Sequence, residues 1–73
     1  MKVILNAVEG GTVYEPIRKT YIKNLDSAPM VGNYIKLEHN HSIKSYIVKS
    51  VSYNIKGSLE VSIELIHSTQ KED

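Results

Sequence analysis

The seven-residue stretch Leu59-Glu60-Val61-Ser62-Ile63-Glu64-Leu65 alternates apolar and polar residues without exception. Successive side chains of a β-strand point to opposite faces, so the apolar residues of this stretch share one face and the polar residues share the other. An α-helix would spread the same apolar residues around its circumference. The stretch therefore predicts a strand with one buried face and marks the chain as rich in β-structure.

The strands nearest to this stretch follow from turn residues and from a change in the alternation. Residues 45–55 and 58–66 are predicted to be two strands that form a long C-terminal hairpin, with Gly57 in a positive-φ turn position. In residues 45–55 the apolar positions change from one face to the other near Lys49. Either a bulge at that point turns both sets toward the core, or both faces of this strand are partly covered.

The amino-terminal half adds three strands, one of which is ambiguous. Residues 2–8 are predicted to be a strand that ends in a turn at residues 9–12, and residues 34–37 form a short strand. Residues 15–25 carry apolar residues at helical spacing, but they are rich in β-branched and aromatic residues. We expect a long strand there, bent or bulged near Pro16, which places it at an edge or at a bulge.

Together these elements predict an all-β domain: a small five-stranded antiparallel barrel or strongly twisted sheet, SH3-like or similar. Residues 1–67 form the single domain, and residues 68–73 are expected to be a polar, disordered tail. A chain of 73 residues has a small core, and with no cysteine it cannot use disulfides. Stability must therefore come from tight packing or from association with another chain.

The net charge is only +1, but the charges are unevenly distributed along the chain. Seven basic residues and two acidic ones lie between Arg18 and Lys56, whereas one lysine and four acids follow from Gly57 onward. Such asymmetry can steer an anionic partner or match the basic face of one subunit to the acidic face of another. The alternative is a solvated surface on which lysines keep the sheet edges soluble.

Two histidines are the weak candidates for a metal site. His39 and His41 flank Asn40, and Glu38 or His67 could complete a ligand set. Histidines with this spacing in a polar loop are more often solvated side chains than metal ligands. The chain also has no nucleophile elbow and no glycine-rich phosphate loop before a helix. We therefore expect no cofactor, no metal and no enzymatic activity.

Tyrosines interleaved with basic residues are the candidate binding groups. Small barrels hold single-stranded nucleic acid by stacking bases on aromatic rings that positive charge surrounds. Tyrosine also suits the half-buried surface of a sheet, so the same residues could serve the core or its rim. The candidate partner-binding residues are Tyr14, Arg18, Lys19, Tyr21, Lys23, Tyr34, Lys36, Lys44 and Lys49.

Two segments resemble a recurring pattern. Residues 29–37 (PMVGNYIKL) and 46–53 (YIVKSVSY) are similar to the pattern P-x-V-G-D-x-I-x-L…Y-x-V-x-x-V-x-Y of short, uncharacterised proteins of bacteria and their phages. Those proteins look like small β-barrels. Asn33 stands here in place of the aspartate of the pattern. The resemblance covers about half of the chain, residues 29–66, and implies a fold and a bacterial or phage origin, but no activity.

The sequence therefore predicts a small interaction protein, encoded by a phage or prophage. We expect it to bind a host or defence protein in the bacterial cytoplasm, to inhibit or modulate that protein sterically, and to form a homo-oligomer. No segment is long and apolar enough for a membrane span. One alternative is a single-stranded nucleic-acid binder that uses Tyr14, Tyr21, Tyr34 and the basic segment, and another is a structural, oligomer-forming subunit.

Overall fold

The structure is a computed structural model that describes residues 1–39 and 41–70, with side chains described for residues 1–38 and 41–66. Within these residues the chain forms five strands. They are β1 (Lys2–Gly11), β2 (Pro16–Asn24), β3 (Tyr34–His39), β4 (Ser42–Tyr53) and β5 (Leu59–Gln70). No helix that could cross a membrane occurs among the residues described.

The strands form one curled, half-barrel sheet in the order β2-β1-β5-β4-β3. The prediction of an all-β, five-stranded, barrel-like fold is confirmed. Neighbouring strands pair antiparallel except for β1 and β5, which pair in parallel, so the sheet is mixed and not wholly antiparallel. The central pair brings together the two strands with the most regular apolar alternation, and the rest of the chain curls around them.

The concave face of the sheet holds the core. The alternating apolar residues of β1 lie directly beside those of β5, for example Leu5 beside Val61 and Ala7 beside Ile63. Burial of each large apolar side chain contributes about 1.5–3 kcal/mol, so the central strands supply most of the hydrophobic stabilisation. The fully buried residues are Val3, Leu5, Ala7, Tyr46, Val48, Leu59, Val61 and Ile63.

A bulge in β4 explains the change of face that the sequence shows near Lys49. Val48 pairs with Ile63, and the next paired residue of β4 is Ser50, which leaves Lys49 as the extra residue. The extra residue restores the side-chain alternation, so Val51 turns toward the same concave face as Val48 and packs against the core. The predicted bulge is confirmed, but of the second apolar set only Val51 packs against the core, whereas Tyr53 and Ile55 are exposed.

The turn between β1 and β2 lies further along the chain than predicted. β1 continues to Gly11, and residues 12–15 make the turn, with the backbone N–H of Thr12 donating to the carbonyl of Glu15. Gly11 adopts φ +83°, and a Cβ atom there would lie 2.3 Å from the Glu15 carbonyl oxygen. The glycines predicted to end the strand instead let it continue and enter a tight turn.

Two further segments differ in extent from the sequence-based expectation. Residues 16–24 form strand β2 at the edge of the sheet, with Pro16 as its first residue, so the helical spacing in this segment does not produce a helix. β5 extends to Gln70, where it pairs with Ser42 of β4. This pairing brings residues 68–70 of the expected tail into the sheet, and residues 71–73 lie outside the described residues.

Candidate interaction surface

β2 forms one edge of the sheet and, in the described part of the chain, pairs with β1 alone. Just beyond its end, Met1 and Leu25 form two backbone hydrogen bonds. The nitrogen of Met1 donates to the carbonyl of Leu25 at 2.6 Å, and the nitrogen of Leu25 donates to the carbonyl of Met1 at 2.8 Å. Antiparallel strands alternate such pairs, and β2 keeps this register with β1 back to Arg18. The N–H and C=O groups of Arg18, Thr20 and Ile22 therefore point away from the sheet, where a further strand would bind.

The side chains of this edge combine positive charge with exposed apolar surface. Arg18, Lys19 and Lys23 lie on β2, and the sequence of residues 16–24 contains no acid. Ile17 and Ile22 are 55% and 62% exposed. Ile22 lies on one face of β2, and Ile17, Lys19 and Lys23 lie on the other. An acidic extended segment with apolar residues at alternate positions could therefore place its apolar side chains beside Ile22 and its acidic side chains beside Lys19 and Lys23.

A buried carboxylate anchors this edge to the rest of the sheet. The side chain of Glu9 is 4% exposed, and Glu9 is the extra residue of a bulge between Val8 and Gly10. Tyr21 of β2 and Tyr46 of β4 both donate their hydroxyl protons to Glu9 Oε2, with the Tyr21 hydroxyl at 2.7 Å. Lys44 Nζ donates to Glu9 Oε1 at 3.3 Å, and Lys19 Nζ lies 3.8 Å from the same oxygen. We call Glu9 and these four residues the Glu9 cluster.

The surroundings of Glu9 favour its charged form. Burial alone would raise the pKa of Glu9, but the hydrogen bonds from Tyr46, Tyr21 and Lys44, together with the charge of Lys44, hold the pKa below its ordinary value of 4.5. Burial, followed by the hydrogen bond to Glu9, raises the pKa of Tyr46 and of Tyr21. Both tyrosines therefore remain protonated donors, and Glu9 remains a carboxylate at neutral pH.

The Glu9 cluster connects strands to one another. It joins β1, β2 and β4, although β2 and β4 are not neighbours in the sheet. Both carboxylate oxygens accept hydrogen bonds from within the chain. Sequence reasoning missed this role, but a signal exists: Val3, Leu5 and Ala7 set an alternation that reaches Glu9, which marks an acid on the buried face.

The acidic residues of β5 have neighbours on the convex face. Asn6 accepts a hydrogen bond from Thr20 Oγ1 and donates one to Glu60 Oε1, both at 3.3 Å. Lys49 Nζ lies 3.5 Å from Glu64 Oε2. Since β5 is the middle strand, the charge pattern runs from a cationic edge to an acidic centre.

The structure separates the candidate tyrosines and brings some of the lysines together. Tyr14 is 94% exposed in the β1–β2 turn, Tyr21 is half-buried at Glu9, and Tyr34 lies on β3 at the opposite edge. Lys19 and Lys44 meet at Glu9, whereas Lys36 lies on β3. Tyr14, Tyr21 and Tyr34 therefore do not form one stacking surface.

The histidines offer no assembled metal site in the part of the chain that the structure describes. No group of three or more His, Cys, Asp or Glu side chains there could hold a metal ion. His41 is exposed at the start of β4, and the side chains of His39 and His67 lie outside the described ones.

Comparison of the chain with protein-family models, with curated proteins and with solved structures found no match to any of them.

Proposed function

We propose that this protein is an interaction module that binds an acidic, extended segment of a partner protein as an additional strand on β2. The single observation that carries the proposal is the edge itself. It combines outward backbone groups at Arg18, Thr20 and Ile22 with an all-cationic set of charges. Backbone hydrogen bonds would provide affinity, and side-chain charge would select the partner.

The mode of action is steric. A segment held on β2 is no longer available to its own protein, and the Glu9 cluster keeps the edge rigid by tying Tyr21 and Lys19 to β1 and β4. This behaviour suits an inhibitor or modulator of a host or defence protein. An origin in a phage or prophage remains part of the proposal, and the genomic neighbourhood of the coding sequence would test it.

A protein partner is favoured over single-stranded nucleic acid because of where the tyrosines lie. Stacking of successive bases needs aromatic rings along one groove. Tyr21 is engaged by Glu9, and three strands separate the β2 edge from Tyr34 on β3. The β2 edge instead offers Ile17 and Ile22, which are apolar contacts for a peptide.

The proposal can be tested by calorimetric titration with three probes. They are a blocked heptapeptide in which glutamate alternates with valine, the same peptide with lysine for glutamate, and single-stranded oligothymidine. We expect the acidic peptide to bind, with an affinity that falls as salt increases, and the lysine peptide not to bind. Lys23→Glu should weaken acidic-peptide binding about three- to tenfold, because an attractive contact becomes repulsive.

Lys56→Glu is the matched control. It makes the same charge change in the β4–β5 turn, away from β2, and should leave the affinity for the acidic peptide nearly unchanged. Equal loss in both variants would mean that overall charge, not the β2 edge, governs binding. Tighter binding of oligothymidine than of the acidic peptide would replace the proposal with the nucleic-acid alternative.

A further inference from the structure

The second edge of the sheet, β3, has a different character from β2. In the part of the chain that the structure describes, β3 pairs only with β4. The N–H of Val48 donates to the carbonyl of Asn33 at 2.9 Å, and the carbonyl of Val48 accepts from the N–H of Gly32 at 3.0 Å. Both partners lie just before β3. The β3–β4 register continues without a shift from there.

The direction of the backbone groups along β3 follows from this register. Ile35 pairs with Tyr46, and Leu37 pairs with Lys44. Because hydrogen-bonded pairs alternate in an antiparallel ladder, Ile35 and Leu37 direct their backbone groups toward β4. The N–H and C=O groups of Lys36 and Glu38 therefore point outward.

The sequence of β3 is complementary to itself when two copies pair antiparallel. With the two-fold axis at Leu37, Lys36 of each copy lies opposite Glu38 of the other, and the two Leu37 residues face each other. This register places the outward backbone groups of Lys36 and Glu38 in hydrogen-bonded pairs and brings opposite charges together twice. The register one step away, with its axis at Lys36, would instead place the two Lys36 residues opposite each other.

The β2 edge is not complementary in charge to a second copy of itself. Residues 16–24 contain three basic residues and no acid, so no antiparallel pairing of β2 with β2 within these residues can place opposite charges across from each other. The cross-strand charge attraction that is available to β3 is therefore not available to β2. Of the two edges, β3 is therefore the one suited to a second copy of this chain.

We infer that the protein forms a symmetric dimer through antiparallel β3–β3 pairing, which joins two sheets into one continuous sheet with a β2 edge at each end. The dimer stands independently of the proposed acidic partner. β3 contains six residues, so the contact is at the small end of protein interfaces. We expect dimers to form at about 0.1–1 mM protein.

Sedimentation equilibrium of the purified chain between about 10 μM and 1 mM tests the inference. We expect the average mass to rise from one chain to two and no further. Lys36→Glu and Glu38→Lys should each weaken dimerisation at least about tenfold, because each variant places like charges opposite each other. Lys56→Glu, the same charge change away from β3, should dimerise like the original chain.

An equimolar mixture of the Lys36→Glu and Glu38→Lys variants provides the decisive outcome. In a dimer of one copy of each, both cross-strand pairs again join opposite charges, so dimerisation should return. Damage to the fold would not be repaired by mixing. Failure of the mixture to dimerise, when circular dichroism shows that both variants are folded, would overturn the inference.

A measurement on the unaltered chain covers the case in which a variant does not fold. The amide resonances of Lys36 and Glu38 should shift with protein concentration, whereas those of Thr20 and Ile22 should not. A chain that remains monomeric at about 1 mM would refute the dimer. Growth of the mass beyond two chains would show open-ended pairing between different edges and would contradict the closed dimer.

Discussion

Glu9 illustrates how a small protein can provide hydrogen-bond donors for a carboxylate that is shielded from water. An unpaired carboxylate in the core would be very unfavourable, but donors from Tyr21, Tyr46 and Lys44 surround this one. Because the donors come from different strands, the hydrogen bonds also connect β2 and β4 through one residue of β1.

Replacement of Glu9 by glutamine should destabilise the fold in a pH-dependent way. A glutamine side chain has only one acceptor oxygen and no charge to balance Lys44, so we expect the free energy of unfolding at neutral pH to fall by about 1–3 kcal/mol. The pKa of Glu9 in the folded protein is lower than its ordinary value of 4.5. The stabilisation by the carboxylate is therefore present above that value and is lost as the pH falls through the lowered pKa.

Urea denaturation of both proteins from about pH 7 down to about pH 2 measures this difference. The stability gap between the original chain and Glu9→Gln should narrow as the solution becomes acidic. Glu15→Gln, the same change in the exposed β1–β2 turn, is the control and should alter stability by less than about 0.5 kcal/mol. A gap for Glu9→Gln that is independent of pH would show that the charge of Glu9 does not stabilise the fold.

At the scale of the strand, the direction of each backbone group on β2 decides which substitutions the sheet tolerates. Ile22 points its N–H outward, whereas Lys23, paired with Val3, directs its N–H to β1. Proline lacks this donor, so it is accepted on an edge strand only where the N–H faces solvent.

Proline substitutions at these adjacent positions should have different effects. We expect Lys23→Pro to lower the free energy of unfolding by about 2–4 kcal/mol more than Ile22→Pro, because only Lys23→Pro removes a bond to β1. Ile22→Pro should keep the fold and lose binding of the acidic peptide. Thermal unfolding and peptide titration of both variants measure these effects. Equal destabilisation by both would mean that the backbone directions on β2 are not those described.

The strands themselves were largely readable from local sequence. The alternation of residues 59–65 predicted β5, and the change of face at Lys49 predicted the bulge in β4, because each depends on neighbouring side chains. The sequence predicts a turn at residues 9–12, whereas residues 12–15 form it. Two adjacent glycines indicate a turn nearby, but they do not show whether they form the turn or precede it.

For the whole molecule, the features that could not be predicted are those that depend on distant residues. Local alternation does not specify which strands are neighbours, so the parallel pairing of β1 with β5 was not foreseen. For the same reason, local sequence does not predict that the side chains of Lys19, Tyr21 and Lys44 contact Glu9. Of the candidate site, the sequence predicts the basic segment and, through Pro16, a strand at an edge or at a bulge, and the sheet order shows that this strand is an edge.

The sheet order gives the molecule two edges with different chemistry. β2 is cationic, and β3 carries both Lys36 and Glu38. A curled sheet that does not close must protect or use its edges. In our account the molecule uses both: β3 pairs with a second copy, and β2 remains available for an acidic segment of another protein.

Residue-resolved amide hydrogen exchange, with and without the alternating glutamate–valine peptide, shows whether the outward backbone groups of β2 bind an added strand. Without the peptide, we predict rapid exchange at Arg18, Thr20 and Ile22 and slow exchange at Lys19 and Tyr21, because only the latter two donate to β1. With the peptide, the three rapid amides should become protected. Protection that does not alternate along β2, or that appears on another strand when the peptide binds, would show that β2 is not the edge that binds the peptide.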